Sequence, residues 1–179
     1  MPNIRYLIEE NNIGSDVLHL AGELGAKHKQ EVYAVGGYVR DLFLGRDIKE
    51  IDFMVVGNGI KFARSLADEL KVDNIVPFQR FSTARIPYKK IPLEVASART
   101  ESYNNFSRKP NKIQYTDLKG DLLRRDFTIN AMAIDLHPER FGDLSDPFKG
   151  IIDLQTKHLV TPLDPVSYTH LTLPTNREV

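Results

Sequence analysis

The chain has 179 residues, 24 basic and 24 acidic side chains and no cysteine. That length suits one domain with a real core and leaves no room for a second large one. The balanced charge gives no bulk field for nucleic acid or membrane, so any nucleic-acid contact must be local, and the missing thiols exclude disulfides and thiolate-bound zinc. Charges interrupt the N-terminal stretch MPNIRYLIEENN too early for a secretory signal, and no apolar run reaches membrane-spanning length. A soluble cytoplasmic protein is the expectation.

In chain order, Ser15-Asp16 can cap a helix carrying Val17, Leu18, Ala21 and Leu24 at helical spacing, weakened at Gly25. Glu31 to Val35 reads as a short strand. A helix from about Gly37 to Leu44 follows, burying Val39, Leu42 and Phe43 and stopping at Gly45. Ile51 to Val56, bounded by Gly57-Asn58-Gly59, has the length and apolarity of a central strand. Ile60, Ala63, Leu66, Ala67 and Leu70 then mark one face of another helix. Further strands are expected near Ser82 to Ile86 and Leu93 to Ser97, the turn between them held short by Pro87 and Pro92.

From Ala98 to Gly120 neither period is visible, and the polar stretch with Arg99, Arg108, Lys109, Lys112 and Lys119 reads as a surface loop beside the site. Order returns at Asp121 and runs through Arg124 to Ala133. Val166 to Val179 has no clear element and resembles a translated adapter, so residues 1–165 are expected to be one domain, a fragment of a longer protein, and 166–179 a non-native tail.

The chemistry is concentrated in a few places. Gly36-Gly37 at a strand-to-helix junction lets backbone N–H groups approach a phosphate, and Arg40 can reach the same anion through its guanidinium fork. In Glu50-Ile51-Asp52 the alternation of an extended segment puts both carboxylates on one face, opposite Ile51, Phe53 and Val55. A divalent cation such as magnesium takes one or two such carboxylates together with phosphate oxygens. Glu94, interrupting a short β-run, can be a third acid; on the bland alternative it is the exposed face of an edge strand. Arg124-Arg125-Asp126 suggests a helix start, with Arg125 clamping a triphosphate and Asp126 or Asn130 meeting ribose hydroxyls, or else a local ion pair at a cap.

Taken together, Gly36-Gly37-Tyr38-Val39-Arg40-Asp41, the acidic pair ending at Asp52, the run Leu93 to Tyr103 and Arg124-Arg125-Asp126-Phe127-Thr128-Ile129-Asn130-Ala131 resemble the head domain of class II tRNA nucleotidyltransferases, a family that includes CCA-adding enzymes and bacterial poly(A) polymerases. Order and spacing match over roughly residues 30 to 165. The resemblance implies an α/β (α+β) fold, a polymerase-β-like nucleotidyltransferase palm with a mixed sheet flanked by helices. It implies template-independent addition of C and A to a tRNA 3′ end from CTP and ATP, with Mg2+ as cofactor. Gly36, Gly37, Arg40 and Arg125, with Asp126 and Asn130, would bind nucleotide; Glu50 and Asp52 would hold the metal and, with Glu94, form the catalytic acids. The stretch from Ala98 to Gly120 would be the family's flexible loop, which helps organise the site during the switch from C to A addition.

Two departures qualify that expectation. The family carries Asp where this chain has Glu50, and the extra methylene moves the carboxylate by about a bond length, which predicts slower turnover or a changed metal preference. The family's base-selecting and RNA-gripping parts lie beyond Pro165 and are expected to be missing. Poly(A) addition, or a catalytically weak nucleotide- or RNA-binding module, are the alternatives.

Overall fold

The computed structural model describes residues 2–11, 14–102 and 112–163. The helices are α1 (Arg5–Asn11), α2 (Ser15–His28), α3 (Gly37–Phe43), α4 (Gly59–Glu69), α5 (Leu118–Leu123) and α6 (Gly150–Thr156). The strands are β1 (Val32–Val35), β2 (Ile51–Val55), β3 (Val76–Phe78), β4 (Thr83–Ile86), β5 (Leu93–Ser97), β6 (Arg99–Ser102), β7 (Lys112–Tyr115), β8 (Ala133–Asp135) and β9 (Leu144–Ser145). Single 3-10 turns cover Gln79–Phe81 and Thr128–Asn130.

Seven strands form one mixed sheet in the order β3-β4-β5-β2-β1-β8-β9, and β6 and β7 pair as a separate antiparallel ribbon. Within the large sheet β2 and β5 run parallel, and the other neighbouring pairs are antiparallel. A parallel pair needs a crossover. Here α4 supplies it, capped by Asn58, whose side chain accepts from the Lys61 N–H, and burying Phe62, Ala63, Leu66 and Ala67 against the sheet.

Strand direction gathers the site at one end of the sheet. The end of β1, leading into Gly36-Gly37, meets the start of β2 because the two are antiparallel. The start of β5, parallel to β2, lies beside it and sets Glu94 directly opposite Asp52. The start of β8 pairs with the end of β1, Ala133 opposite Val35, so the segment carrying Arg125 and Asn130 arrives at the same place.

The two faces of the sheet differ. Ile51, Phe53 and Val55 belong to the main core with residues of α1 to α4. Met54, one step out of phase, belongs to a smaller cluster with Tyr33, Val35, Ala98, Leu122, Ala131 and Ala133. Asp52 shares the Met54 face.

Several expectations are corrected. Gly25 does not weaken the α2 helix, which continues to His28; a Cβ at position 25 would lie 2.6 Å from Val32 Cγ2, so this glycine serves close packing. Phe43 is only partly buried, unlike Val39 and Leu42. The stretch from Ala98 to Gly120 is not wholly irregular: Ala98 is fully buried, β6 and β7 occupy part of it, and α5 begins at Leu118. Residues 103–111 of that stretch, and the tail 166–179, lie outside the described residues. Arg124-Arg125-Asp126 does not start a helix. It follows the end of α5, whose N-cap is Asp117, accepting from the Gly120 N–H at 2.9 Å. Two guanidiniums at a helix C-terminus are favourably placed against its partial negative charge. Nor is β5 an edge strand, since it lies between β2 and β4.

Candidate active site

Glu50, just ahead of β2, Asp52 and Glu94 bring one carboxylate oxygen each within 4.8 Å of one another. Glu50 and Glu94 are exposed and Asp52 is partly buried. The sequence treated Glu94 as a charge costly to bury; its exposure removes that cost and leaves it open to a ligand. Burial pushes the Asp52 carboxyl up to about 6, the charges of Glu50 and Glu94 push the same way, and Arg125 and the Gly37 N–H donated to Asp52 pull against them. Three acidic groups converge there, and Arg125 offsets only part of the cost of charging Asp52. Such a donor set fits a hard divalent cation with oxygen ligands.

Gly36 and Gly37 lie against this cluster. A Cβ at Gly36 would sit 2.9 Å from Arg125 Nη1 and 3.2 Å from Asp52 Oδ2, and φ there is +69°, so both space and backbone conformation call for glycine. A Cβ on Gly37 would meet Arg40 Nη2 at 3.5 Å. The two glycines therefore let a carboxylate and two guanidiniums close on one spot.

The arginines are held mostly by near neighbours, and Arg40 also by a side chain 90 residues away. Arg40 Nε and Nη2 each donate to the Asp41 carboxylate at 2.9 Å, and Nη1 donates to Asn130 Oδ1 at 2.8 Å. Asn130 in turn donates to Asp126 Oδ1 at 3.2 Å, and its carbonyl accepts from Arg125 Nη1 at 3.3 Å. Asp126 is exposed and orients Asn130. Arg125 Nη2 donates to Asp121 Oδ2 at 3.1 Å, and its buried Nε has no hydrogen-bond partner among the described residues.

Asp121 and Asp41 were not singled out as site residues from the sequence. Asp121 is fully buried and accepts from Arg124, Arg125 and the Arg99 N–H, so it fixes the guanidinium that faces Asp52. Its signal was an acid three and four residues ahead of two arginines that follow one short helix. Every sequence-derived candidate thus falls in one neighbourhood. Asp126 stands at its rim.

Residues 32–160 match the family described as the poly A polymerase head domain. The chain belongs to that family. An A-adding tRNA nucleotidyltransferase of Aquifex aeolicus (strain VF5) is 46% identical over 136 residues, 76% of this chain and 16% of that protein. A CCA-adding enzyme in its apo form II superposes with a TM-score of 0.79 at 36% identity, over 90% of this chain and 38% of the other. A tRNA nucleotidyltransferase complexed with a primer tRNA and an incoming ATP analog gives a TM-score of 0.70 at 40% identity, over 83% of this chain and 40% of the other. The head-domain chain spans between about one-sixth and two-fifths of the length of these proteins. Its mixed sheet flanked by helices is the polymerase-β-like nucleotidyltransferase fold expected from the resemblance. Among the described residues no helix is long and apolar enough to cross a membrane.

Proposed function

We propose that this chain is the nucleotidyl-transfer head of an enzyme that adds C and A to the 3′ end of tRNA from CTP and ATP, with Mg2+ held by Glu50, Asp52 and Glu94. The observation that carries the proposal is the convergence of those three carboxylates beside Gly36-Gly37 and Arg125. Bound there, Mg2+ supplies the positive charge that makes a terminal hydroxyl more acidic and offsets the charge of a triphosphate.

The chain's own groups do the positioning. Gly36 keeps the approach to Asp52 free of side-chain bulk. Arg125, anchored by Asp121, directs its guanidinium toward the Asp52 side, where it meets nucleotide phosphate. Arg40 and Asp126 brace Asn130, which then offers a fixed amide to the nucleotide. Asp52, whose carboxyl is pushed up to about 6 by burial and by Glu50 and Glu94, is ionised above that value and would then be available to hold the cation. Work on tRNA fits the cytoplasmic location expected from the sequence.

Incubating the 179-residue chain with Mg2+ and labelled CTP or ATP, on tRNA lacking its CCA end and on tRNA ending in CC, tests this. Incorporation of both nucleotides supports C and A addition. Incorporation of ATP alone, and only onto the CC-ending tRNA, supports a second reading favoured by the name of the Aquifex relative, an A-adding enzyme. Long A tracts point to poly(A) addition. Calorimetric binding of Mg·ATP without incorporation identifies a binding module, and no binding at all defeats the proposal.

A further inference from the structure

The acid cluster has two flanks. Gly36, Arg40, Arg125 and Asn130 crowd the side toward β1 and α3. On the other side the sheet continues to its edge along registered rows. One row runs Asp52, Glu94, Arg85, Val76, and the next runs Met54, Ala96, Thr83, Phe78. Directly paired residues share a face, so Arg85, Val76 and Phe78 stand on the same face as the catalytic acids.

This edge is unusual in composition. All three residues of β3 are exposed, with Val76 at 50% and Phe78 at 47%, and Phe81 in the following 3-10 turn is 43% exposed. The guanidinium carbons of Arg80 and Arg99 lie 5.7 and 5.8 Å from the Phe81 ring centroid, and Arg99 also donates to the Phe81 carbonyl. Arg85 is exposed, and its side chain has neither a hydrogen bond nor an ion pair among the described residues. Pro77 removes a backbone donor from the middle of the strand, which disfavours pairing with another sheet edge. Exposed rings interleaved with cations, in a chain of zero net charge, form a local surface suited to bases and phosphates.

We propose that the β3–β4 edge, with Phe78, Phe81, Arg80 and Arg85, is the platform for the last nucleotides of the RNA being extended. This rests on the nucleotidyl-transfer reading in one respect. Phosphoryl transfer places the attacking and leaving oxygens roughly in line. With the triphosphate on the Gly36 and Arg125 flank, the RNA 3′-hydroxyl enters from the Arg85 flank. Its bases stack on Phe78 and Phe81, and Arg80 and Arg85 meet its phosphates.

The test measures RNA and nucleotide separately on the whole chain. A fluorescent single-stranded RNA ending in CC is titrated by anisotropy, and Mg·ATP by calorimetry, for the parent, Phe78→Ala, Phe81→Ala and Arg85→Glu. The expected result is RNA affinity about tenfold weaker in each variant, with the thermal midpoint unchanged and Mg·ATP affinity unchanged in Phe78→Ala and Phe81→Ala. Arg85→Glu also serves if either Phe variant fails to fold. RNA affinity equal to the parent's in Phe81→Ala and Arg85→Glu, or no RNA binding by the parent, overturns the platform. If sedimentation instead shows the parent self-associating through residues removed by Phe78→Ala, with RNA affinity unmoved, the edge is a contact for a second copy and the proposal falls. Loss of Mg·ATP binding in the parent strikes the nucleotidyl-transfer reading, while the RNA titration still decides the platform.

Discussion

Within five residues β2 presents two surfaces with opposite demands. Ile51, Phe53 and Val55 are at most 1% exposed and pack under the helices, where only volume and apolarity matter. Asp52, one step away, is partly buried among acids, and burial and those acids both disfavour its charge. The period of two along a strand separates these roles, and a one-residue slip in register would exchange them. Stability and chemistry are therefore separable by substitutions at adjacent positions.

The largest expected effect is at Asp52. Asp52→Ala should lower nucleotide incorporation by about a thousandfold or more, roughly 4 kcal/mol of lost transition-state stabilisation, without lowering the unfolding midpoint. Its neighbour should show the reverse. Phe53→Ala leaves the acids in place but empties a fully buried site, at a cost of about 4 kcal/mol measured by urea unfolding. A stable Phe53→Ala chain, or an Asp52→Ala chain active within tenfold of the parent, would break the comparison.

Asp121 sharpens it, because this residue lies on the Asp52 side and yet is as fully buried as the core. Removing its carboxylate leaves the Arg125 guanidinium without its anchor beneath the smaller core cluster. Asp121→Ala should cost about 3 kcal/mol of stability and also raise the KM for ATP, whereas Asp121→Glu should recover part of each. A loss of stability with the KM unmoved would show that Asp121 has no positioning role.

How far the sequence disclosed this arrangement depended on distance along the chain. Gly36-Gly37, Glu50-Ile51-Asp52 and the helix from Ile60 to Leu70 were legible because spacing within a few residues decides a turn, a face or a helical stripe. Asp121 had a local signal in its two arginines, but its full burial and its bond from the Arg99 N–H, 22 residues away, came only with the folded chain. The Arg40 bond to Asn130 spans 90 residues, so the bracing of that amide could only come from the folded chain. β3, β8 and β9 have two or three residues each, too short for an alternation to register, and the β6–β7 ribbon is masked by polar composition. Gly25 misled because helical glycines signal weakness in sequence, whereas here the missing Cβ admits Val32.

A smaller effect concerns pH. The Asp52 carboxyl is raised from 3.8 to about 6, so between those values the folded chain binds more protons than the unfolded one. The associated stability is complete below about pH 4 and is lost as pH rises through about 6. Asp52→Asn keeps the shape without the charge. In a chelator, that variant should match the parent at pH 4 and exceed it by roughly 1–2 kcal/mol at pH 8, the full shift being discounted for water contact. Saturating Mg2+ should close the gap at pH 8 by stabilising only the parent. A gap that is equal at both pH values would mean that neither burial nor the neighbouring acids raise the Asp52 carboxyl.

The finest distinction is at Glu50, where the resemblance leads to an expectation of Asp. Glu50 is exposed and precedes β2, so its longer side chain reaches the cluster from a segment outside the sheet ladder. Shortening it by one methylene draws the carboxylate back toward the strand that fixes Asp52 and reduces the rotamer freedom lost when a cation is gripped. Glu50→Asp should therefore raise magnesium-dependent turnover in a full-length context, by about two- to tenfold, and tighten Mg2+ binding by the chain itself. Turnover equal to or below the parent's would show that the loop before β2 has adapted to the longer acid. Position 50 would then be tuned by its backbone, and Asp52 by burial and its neighbours' charge.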